Sequence, residues 1–202
     1  MESQLQYVSP LERAAARAPT YRMMSRRALH VLAISEMKIA LGGASESVFI
    51  SKRALDTALN MAEEVVRRIG RLAAVRALRH HHTTLEIRDV RAALNALDID
   101  ESWLEAETRG ANGESVSLVR VGMMARMMHH EFAYAHRDLE KRERAKVRES
   151  VGRSMSKLMN AFVVLLFRFA ARFVASVHHR RLVGHKDVVR AYKEVLEAAS
   201  AR

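Results

Sequence analysis

The feature that most constrains this chain is an internal repeat, in which one pattern of a short, a long and a short helix occurs twice. The long helix of the first copy is predicted from about Lys52 to Leu78, and its last helix from Glu86 to Leu97. A shift of 98 positions relates the copies without a gap over about forty residues. It places His80-His81 on His178-His179, Asp89-Val90 on Asp187-Val188, and Val65-Val66 on Val163-Val164. A unit of this shape cannot bury its apolar stripe alone, so two units in one chain predict a built-in dimer.

The first copy is predicted to occupy residues 25–98, after an arm over residues 1–24 that contains both prolines of the chain. Ser25 is a favourable N-cap for a helix that ends at Leu41, because a serine hydroxyl can accept a hydrogen bond from an N–H of the first turn. Apolar residues after Ser51 recur at spacings of three and four, as on one face of a long helix. The β-branched Thr83 and Thr84 favour an extended connection before the last helix.

The second copy is predicted over residues 117–199, and an acidic linker over residues 99–116 joins it to the first. The charged segment from Arg137 to Lys146 stands where the first copy has a glycine-containing loop, and it is either a loop or an extra helical turn. The second long helix, from about Val147 to Val177, is apolar on most faces between Leu158 and Val174. A helix that is apolar all round is buried, so this helix should be the most buried element of an all-α fold.

Composition excludes several classes of protein. The chain has 202 residues, 49% of them hydrophobic, and only two prolines and eight glycines, which is typical of a helical globular protein. The absence of cysteine excludes disulfides and thiolate metal sites. The first 19 residues carry four charges and lack the apolar core of a secretory signal. The most apolar run, Leu158 to Phe167, is shorter than the roughly 20 residues that span a bilayer, so we expect a soluble protein with no membrane partner.

The charge of the chain indicates a polyanionic partner. The formal net charge is +11, with +2 over residues 1–106 and +9 over residues 107–202. Positive charge spread through predicted helices suggests nucleic acid or an acidic protein as the partner. A GC-rich coding sequence would explain a preference for arginine over lysine, but it would not explain the net charge.

Three segments of the two copies resemble histones. The sequence ISKRAL at residues 50–55, continued without a gap to TTLEIRDV at residues 83–90, is similar to the central part of core histone two-B. The sequence RRLVGHKDVV at residues 180–189 is similar to the end of histone four and of archaeal histones. The resemblance extends over about residues 25–98 and 117–199.

A single chain with two such folds resembles the fused histone doublets of giant DNA viruses. The resemblance implies two tandem histone folds that form an intramolecular handshake pseudo-dimer, the first of them like histone two-B. The type of the second fold stays open, because a two-B-like half suggests a two-A-like partner, whereas its ending is more similar to histone four. The implied function is packaging of double-stranded DNA in chromatin, together with other histones or histone doublets. If the source is viral, the location would be the viral factory, the virion or the host nucleus.

Head-to-tail clasping of two histone folds would place the first loop of each fold beside the second loop of the other. Three basic clusters would then lie along one curved edge and grip successive phosphates where a minor groove faces inward, without base readout. The N-termini of the long helices would add backbone N–H donors. The residues expected to contact DNA are Lys52, Arg53, Arg180 and Arg181 at one end, Arg79, Lys146 and Arg148 at the other, and Arg26, Arg27, Arg120 and Arg126 on the first helices.

The resemblance also implies a structural clamp in the second copy. In histones an arginine seven residues before an aspartate pairs with it and pins the second loop, and Arg180 and Asp187 match this spacing. His82 occupies the corresponding position before Asp89 in the first copy, so the first copy departs from the pattern.

No catalytic, metal or cofactor site is predicted. The runs His80-His81-His82, His129-His130 and His178-His179 lack the metalloprotease pattern of two histidines four residues apart, so we expect loop histidines that face phosphate or solvent. The consecutive Glu63-Glu64 suit a solvated helix face, and no nucleophile with its base and no phosphate-binding glycine loop is present. We therefore do not expect an enzyme. The alternative function is that of a histone-fold scaffold subunit of a transcription or chromatin complex, acting through protein contacts.

Overall fold

The computed structural model describes residues 23–41, 49–108, 118–136, 139–178 and 181–200, and the structural statements below concern these ranges. The predicted arm up to residue 22, His179 and Arg180 lie outside them. In chain order the elements are α1 (Arg26–Ala40), β1 (Phe49–Ile50), α2 (Lys52–Arg79), β2 (Thr84–Leu85), α3 (Ile87–Ala96), α4 (Glu101–Thr108), α5 (Val121–Ala135), α6 (Leu139–Arg144), β3 (Lys146–Val147), α7 (Glu149–His178), β4 (Leu182–Val183) and α8 (His185–Ser200). The predicted all-α class is confirmed, since each strand has only two residues.

The starts of α1 and α2 lie where the sequence predicted them. Ser25 and Ser51 are the N-caps, and each hydroxyl accepts a hydrogen bond of 3.1 Å from the N–H three residues further on. At its other end α2 is followed by His80 as the C-cap and by His81 with a φ of 57°. This left-handed residue turns the chain out of the helix and toward β2.

The four short strands form two parallel pairs that connect the two copies. β1 pairs with β4, with Phe49 opposite Leu182, and β2 pairs with β3, with Thr84 opposite Lys146. In each pair one strand belongs to a first loop and the other strand to the second loop of the other copy. The predicted neighbourhood of first and second loops is thereby confirmed.

The most buried element is α7, as predicted. It packs against α1, α2, α4, α5 and α8, and every residue from Leu158 to Arg168 is buried. The other long helix, α2, packs against α3, α5, α7 and α8 and keeps a charged, exposed face. Both copies contribute to one continuous core, because the long helices contact each other and α8 packs on both of them.

The composition of α7 requires a correction to the expectation that no segment is long enough to span a membrane. Within Glu149–Ser176 this helix is long and apolar enough to do so by length and composition, with a mean hydropathy of 1.8 in its most apolar window. However, 78% of that window is buried inside the fold. A core helix that is buried on all sides and a membrane helix need the same composition, because neither exposes a face to water.

Two different shifts relate the copies, which corrects the single gapless shift of 98. At the start of the long helices, Ser51 N–H donates to Val183 O at 3.0 Å and Arg148 N–H donates to Leu85 O at 3.1 Å. These equivalent bonds make Ser51 and Arg148 counterparts, at a shift of 97 positions. In β2 and β4 the counterparts are Leu85 and Val183, at the predicted shift of 98.

Burial places the extra residue of the second copy after its long helix. Under the shift of 97 each buried residue of α2 falls on a buried residue of α7, for example Val65 on Phe162. A shift of 98 would instead place the buried Leu55 on the exposed Arg153. The sequence could not reveal this difference, because α7 is apolar at so many positions that it matches α2 at either shift.

A largely buried glutamate on each first helix forms ion pairs with arginines of the long helix of the other copy. Glu36 of α1 accepts a hydrogen bond from Arg168 of α7 at 2.7 Å, and Glu131 of α5 accepts from Arg71 and Arg67 of α2 at 3.1 and 3.2 Å. Glu36 and Glu131 are counterparts because both lie ten residues after the first residue of their helix. Arg71 and Arg168 are counterparts at the shift of 97. Losing one partner would leave a buried charge unpaired, so the contacts disfavour a displaced arrangement of the copies.

Helix α4 lies where the sequence predicted a linker, and helix α6 lies in the segment for which a loop and a helical turn were both open. Helix α4 occupies the predicted acidic linker and packs on α7, with Trp103 and Leu104 buried. Its Glu107 carbonyl also accepts a hydrogen bond from Arg168. In the charged segment after α5, residues 139–144 form helix α6, so this part of the segment is a helix and not a loop.

Candidate nucleic-acid interface

Cations and helix N-termini come together at three places on the molecule. The β1–β4 junction comprises residues 49–53 and 181–187, the β2–β3 junction residues 79–89 and 145–149, and the α1–α5 junction residues 23–27, 56 and 118–121. Helices α2 and α8 begin at the first junction, α3 and α7 at the second, and α1 and α5 at the third. A helix N-terminus favours a bound anion, because its first N–H groups have no partner in the helix and its dipole is positive there.

At the β1–β4 junction, the exposed cations at the start of α2 have no carboxylate partner among the described residues. Lys52 and Arg53 form the first turn of α2 and are exposed, and no carboxylate among the described residues pairs with either of them. Phe49 N–H donates to the carbonyl of Arg181 at 2.8 Å, which places this exposed arginine beside the start of α2. Lys186, exposed in the first turn of α8, adds a cation that was not among the predicted contacts.

The β2–β3 junction has the same backbone pairing, but a partly exposed carboxylate contacts its arginines. Lys146 N–H donates to the carbonyl of Thr83 at 3.1 Å, which brings Lys146 and Arg148 to the end of α2 as expected. Glu86, the N-cap of α3, lies 3.3 Å from Arg88 Nε and 3.9 Å from Arg148 Nε. One carboxylate therefore neutralises part of the charge of two arginines. Neither Arg88 nor Glu86 was among the residues predicted from the sequence.

His82 of the β2–β3 junction contacts a carboxylate through one ring nitrogen and a guanidinium through the other. His82 Nδ1 lies 3.5 Å from Asp89 Oδ1, and His82 Nε2 lies 3.2 Å from Arg88 Nη2. The ring of His80 stacks on that of His82 with 5.8 Å between the ring centroids. Asp89 is 1% exposed, and its Oδ2 accepts the Glu86 N–H at 3.0 Å.

The counterpart of Asp89 in the second copy has the same backbone role. Asp187 is 5% exposed, and its Oδ2 accepts the N–H of Gly184 at 2.8 Å. Both carboxylates thus hold the turn between a second-loop strand and the last helix of a copy. The predicted clamp between Asp187 and Arg180 stays a prediction, since Arg180 lies outside the described residues.

The α1–α5 junction brings two of its four predicted arginines into one cleft. Arg120 is the N-cap of α5, and its N–H donates to the carbonyl of Met23, just before α1, at 3.0 Å. Arg26 and Arg120 line a cleft of about 360 Å³. Asp56 of α2 lines the same cleft and accepts a hydrogen bond from Arg26 at 2.9 Å, so this junction also contains a carboxylate.

The remaining predicted contacts differ in their positions. Arg27 is exposed next to Arg26, and Arg79 is exposed at the last residue of α2, within the β2–β3 junction. Arg126 is exposed on α5 but lies six residues after Arg120, which corresponds to about 120° around the helix axis. The structure therefore does not group Arg126 with Arg26 and Arg120.

The ionisable groups with shifted pKa values near the middle of α2 belong to the packing of α2 on α5. Burial raises the pKa of Glu63, and the nearby Arg67 offsets part of this rise. Burial lowers the pKa of His130, whereas the adjacent Glu131 acts in the opposite direction. Both groups lie in or beside the buried contact of Glu131 with Arg67, away from the three junctions.

Among the described residues, no contact joins His80, His81 or His82 to His129 or His130, although His129 contacts Ala145 of the β2–β3 junction. His129 Nε2 lies 3.1 Å from the carbonyl of Ala145, and the ring of His130 packs on that of Tyr134 with centroids 4.3 Å apart. Among the described residues, no group of three histidine, aspartate or glutamate side chains has the arrangement of a metal site.

Comparison with known proteins gives a likeness of fold. No family model and no curated protein matches the sequence. The structure is similar to the crystal structure of the histone from Methanopyrus kandleri, with a TM-score of 0.50 and 14% sequence identity, over 83% of this chain and 92% of that chain. The chain therefore has a histone-like fold.

Proposed function

We propose that this chain is a histone doublet, which binds and wraps duplex DNA without sequence specificity and assembles with other histones into nucleosome-like particles. The observation that carries the proposal is the coincidence of exposed cations with helix N-termini at three junctions of a histone-like fold. On this proposal the chain is a packaging protein of chromatin and not an enzyme, and its partners are double-stranded DNA and other histones.

The junctions suit phosphate better than bases. Their cations lie in loops and first helical turns, where side chains and backbone N–H groups can contact the same phosphate. Such contacts position DNA without reading its sequence. Single-stranded DNA would need a row of aromatic side chains on which successive bases stack, whereas Phe49 is the one exposed phenylalanine, tyrosine or tryptophan among the described residues of the three junctions. Arginines that enter an inward-facing minor groove suit a duplex.

The length of α2 sets the scale of the contact. The β1–β4 junction lies at its start and the β2–β3 junction at its end, so the 28 residues of α2 separate them. At about 1.5 Å per residue the helix is about 42 Å long. At about 3.4 Å per base pair, this length corresponds to roughly 12 base pairs of DNA. One chain could therefore contact about one turn of a duplex at both ends.

A salt titration of DNA binding tests the proposal. The affinity of the full chain for two duplexes of unrelated sequence is measured by fluorescence anisotropy at two salt concentrations. If about six phosphates are neutralised, the affinity should fall roughly 10³-fold between about 50 and 200 mM salt. The two duplexes should differ little. A flat salt dependence, or a strong preference for one duplex, contradicts the proposal and favours the scaffold function through protein contacts.

A further inference from the structure

The β2–β3 junction contains a histidine at a position where the second copy has an arginine. His82 lies seven residues before Asp89, as Arg180 lies seven residues before Asp187. An arginine keeps its charge at all physiological pH values, whereas a histidine changes its charge between about pH 5 and 8. The two copies therefore differ in whether this position can respond to pH.

The contacts of His82 define the protonation state that the structure represents. A guanidinium group has only hydrogen-bond donors, so the Nε2 atom that lies 3.2 Å from Arg88 Nη2 must act as an acceptor. The imidazole is then neutral and carries its proton on Nδ1. That atom points toward Asp89 Oδ1 at 3.5 Å and has no closer hydrogen-bond partner among the described residues.

Protonation of His82 would weaken its contact with Arg88 and strengthen its contact with Asp89. A proton on Nε2 would face the guanidinium of Arg88, and two donors of like charge repel each other. The contact of Nδ1 with the buried Asp89 carboxylate would become stronger. The other charged or titratable groups at this junction are Arg79, His80 and His81 at the end of α2, Glu86 at the N-cap of α3, Lys146, Arg148 and Glu149 on the side of the second copy, and His129 of α5, which contacts the Ala145 carbonyl. Among these, Glu86 is the carboxylate that contacts Arg88.

We propose that His82, Arg88 and Arg148 form a proton-linked site for a DNA phosphodiester. Uptake of a proton by His82 displaces Arg88 from the imidazole, and the guanidinium, 64% exposed and at the surface beside Arg148, moves to the phosphate. A phosphate that binds Arg88 keeps this like charge away from the imidazolium, so DNA binding and proton uptake favour each other. This inference rests on the proposed function and adds to it a pH dependence located at one junction.

The first test is the pH dependence of duplex binding. Between pH 8 and pH 6, the affinity of the parent chain should rise roughly five- to tenfold more than that of His82→Gln, because uptake of one proton changes log K by at most about one per pH unit. Arg88→Gln should lose the same extra pH dependence. His30→Gln is the control, since His30 is an exposed histidine on α1 outside the three junctions, and it should keep that dependence. Equal pH dependence in the parent and in His82→Gln contradicts the proposal.

The second test needs no DNA. The nitrogen chemical shift of His82 Nε2 is measured by NMR at pH 8 in the parent and in Arg88→Gln, and removing the guanidinium should change it, because Nε2 loses its hydrogen-bond donor. An unchanged chemical shift contradicts the contact of His82 with Arg88. If the chemical shift changes but the parent binds no DNA at any pH, the proposed function fails while the contact stands, so the two failures are distinguishable.

Discussion

The β1–β4 and β2–β3 junctions have the same backbone and different charges. Each consists of two parallel strands, a helix start from either copy and a buried aspartate that accepts an N–H group of its own turn. At the β1–β4 junction, Lys52 and Arg53 have no carboxylate partner among the described residues. At the β2–β3 junction, Glu86 contacts two arginines and a histidine takes the place of an arginine.

The comparison shows which residues of a junction maintain the fold and which are available to contact a ligand. The strand pairs and the buried aspartates are common to both ends, so they serve the pairing of the copies. The exposed cations and their counter-ions differ, and only they can give the two ends different affinities for phosphate. We therefore expect the β1–β4 junction to bind DNA more strongly, and the β2–β3 junction to bind more weakly and with the pH dependence that His82 introduces.

The largest expected effect concerns the buried aspartates. Asp187→Ala should lower the free energy of unfolding by about 3–5 kcal/mol, because by resemblance it leaves the arginine at position 180 without its partner. Asp89→Ala should lower it by about 1–3 kcal/mol, the loss of hydrogen bonds to a buried carboxylate, since its other neighbour is a histidine that need not be charged. Urea denaturation of both variants measures the difference. Equal losses would contradict the proposed difference between the clamps.

The next effect compares the exposed cations of the two ends. Lys52→Gln with Arg53→Gln should lower the salt slope of duplex binding by about two, or one per lost phosphate contact. Arg88→Gln with Arg148→Gln should lower it by about one at pH 8, because Glu86 already neutralises part of that charge. The melting temperatures should stay close to that of the parent, since these side chains are exposed. A larger loss at the β2–β3 end would reverse the proposed ranking.

A smaller effect should follow from removing the counter-ion itself. Glu86→Gln keeps a side-chain acceptor for the cap of α3 but removes the charge that contacts Arg88 and Arg148. Affinity for a duplex should rise about two- to threefold at low salt, as expected for an exposed ion pair worth less than about 1 kcal/mol. Glu194→Gln is the matched control, because Glu194 pairs with an arginine on α8 and belongs to no junction. A similar gain in the control would show that net charge alone is responsible.

The smallest effect is expected at a carboxylate outside both junctions. Burial raises the pKa of Glu63, so its contribution to stability is present below the ordinary glutamate pKa and is lost as the pH rises through the raised value. Glu63→Gln should therefore raise the melting temperature slightly at pH 7 and leave it unchanged at pH 4. Thermal melts at the two pH values measure this, and DNA binding should not change. A stabilisation that is the same at both pH values would show that ionisation of Glu63 is not the cause.

Most of the helices and their order could be predicted from the sequence. The serines at the starts of α1 and α2, the repeat and the apolar faces of α7 depend on local patterns, and each predicted an element that the structure contains. The equivalence along the long helices was wrong by one residue, because an all-apolar helix carries little information about register. Helix α4 was missed because its acidic composition resembles a solvated linker, whereas Trp103 and Leu104 pack on a helix distant in sequence.

The charges around the interface were harder to predict. Lys52, Arg148 and Arg181 follow from strand pairing and were placed correctly at their junctions. The pairing of Arg26 with Asp56, 30 residues away, and the contacts of Glu86 with two arginines depend on side-chain geometry that no spacing rule contains. The turn that separates Arg126 from Arg120 could have been found, since six residues along a helix do not return to the same face.

The salt slope of binding as a function of duplex length tests whether one chain binds DNA at both ends of α2. A duplex of about 8 base pairs is roughly 27 Å long and can contact one end of α2, whereas one of about 20 base pairs, roughly 68 Å, can contact both ends. In the parent chain we expect a clearly steeper salt slope for the longer duplex. In Lys52→Gln with Arg53→Gln the salt slope should depend little on duplex length, because this variant retains mainly the cations of the β2–β3 junction. A parent slope that is the same for both duplexes would contradict the claim that one chain grips DNA at both junctions.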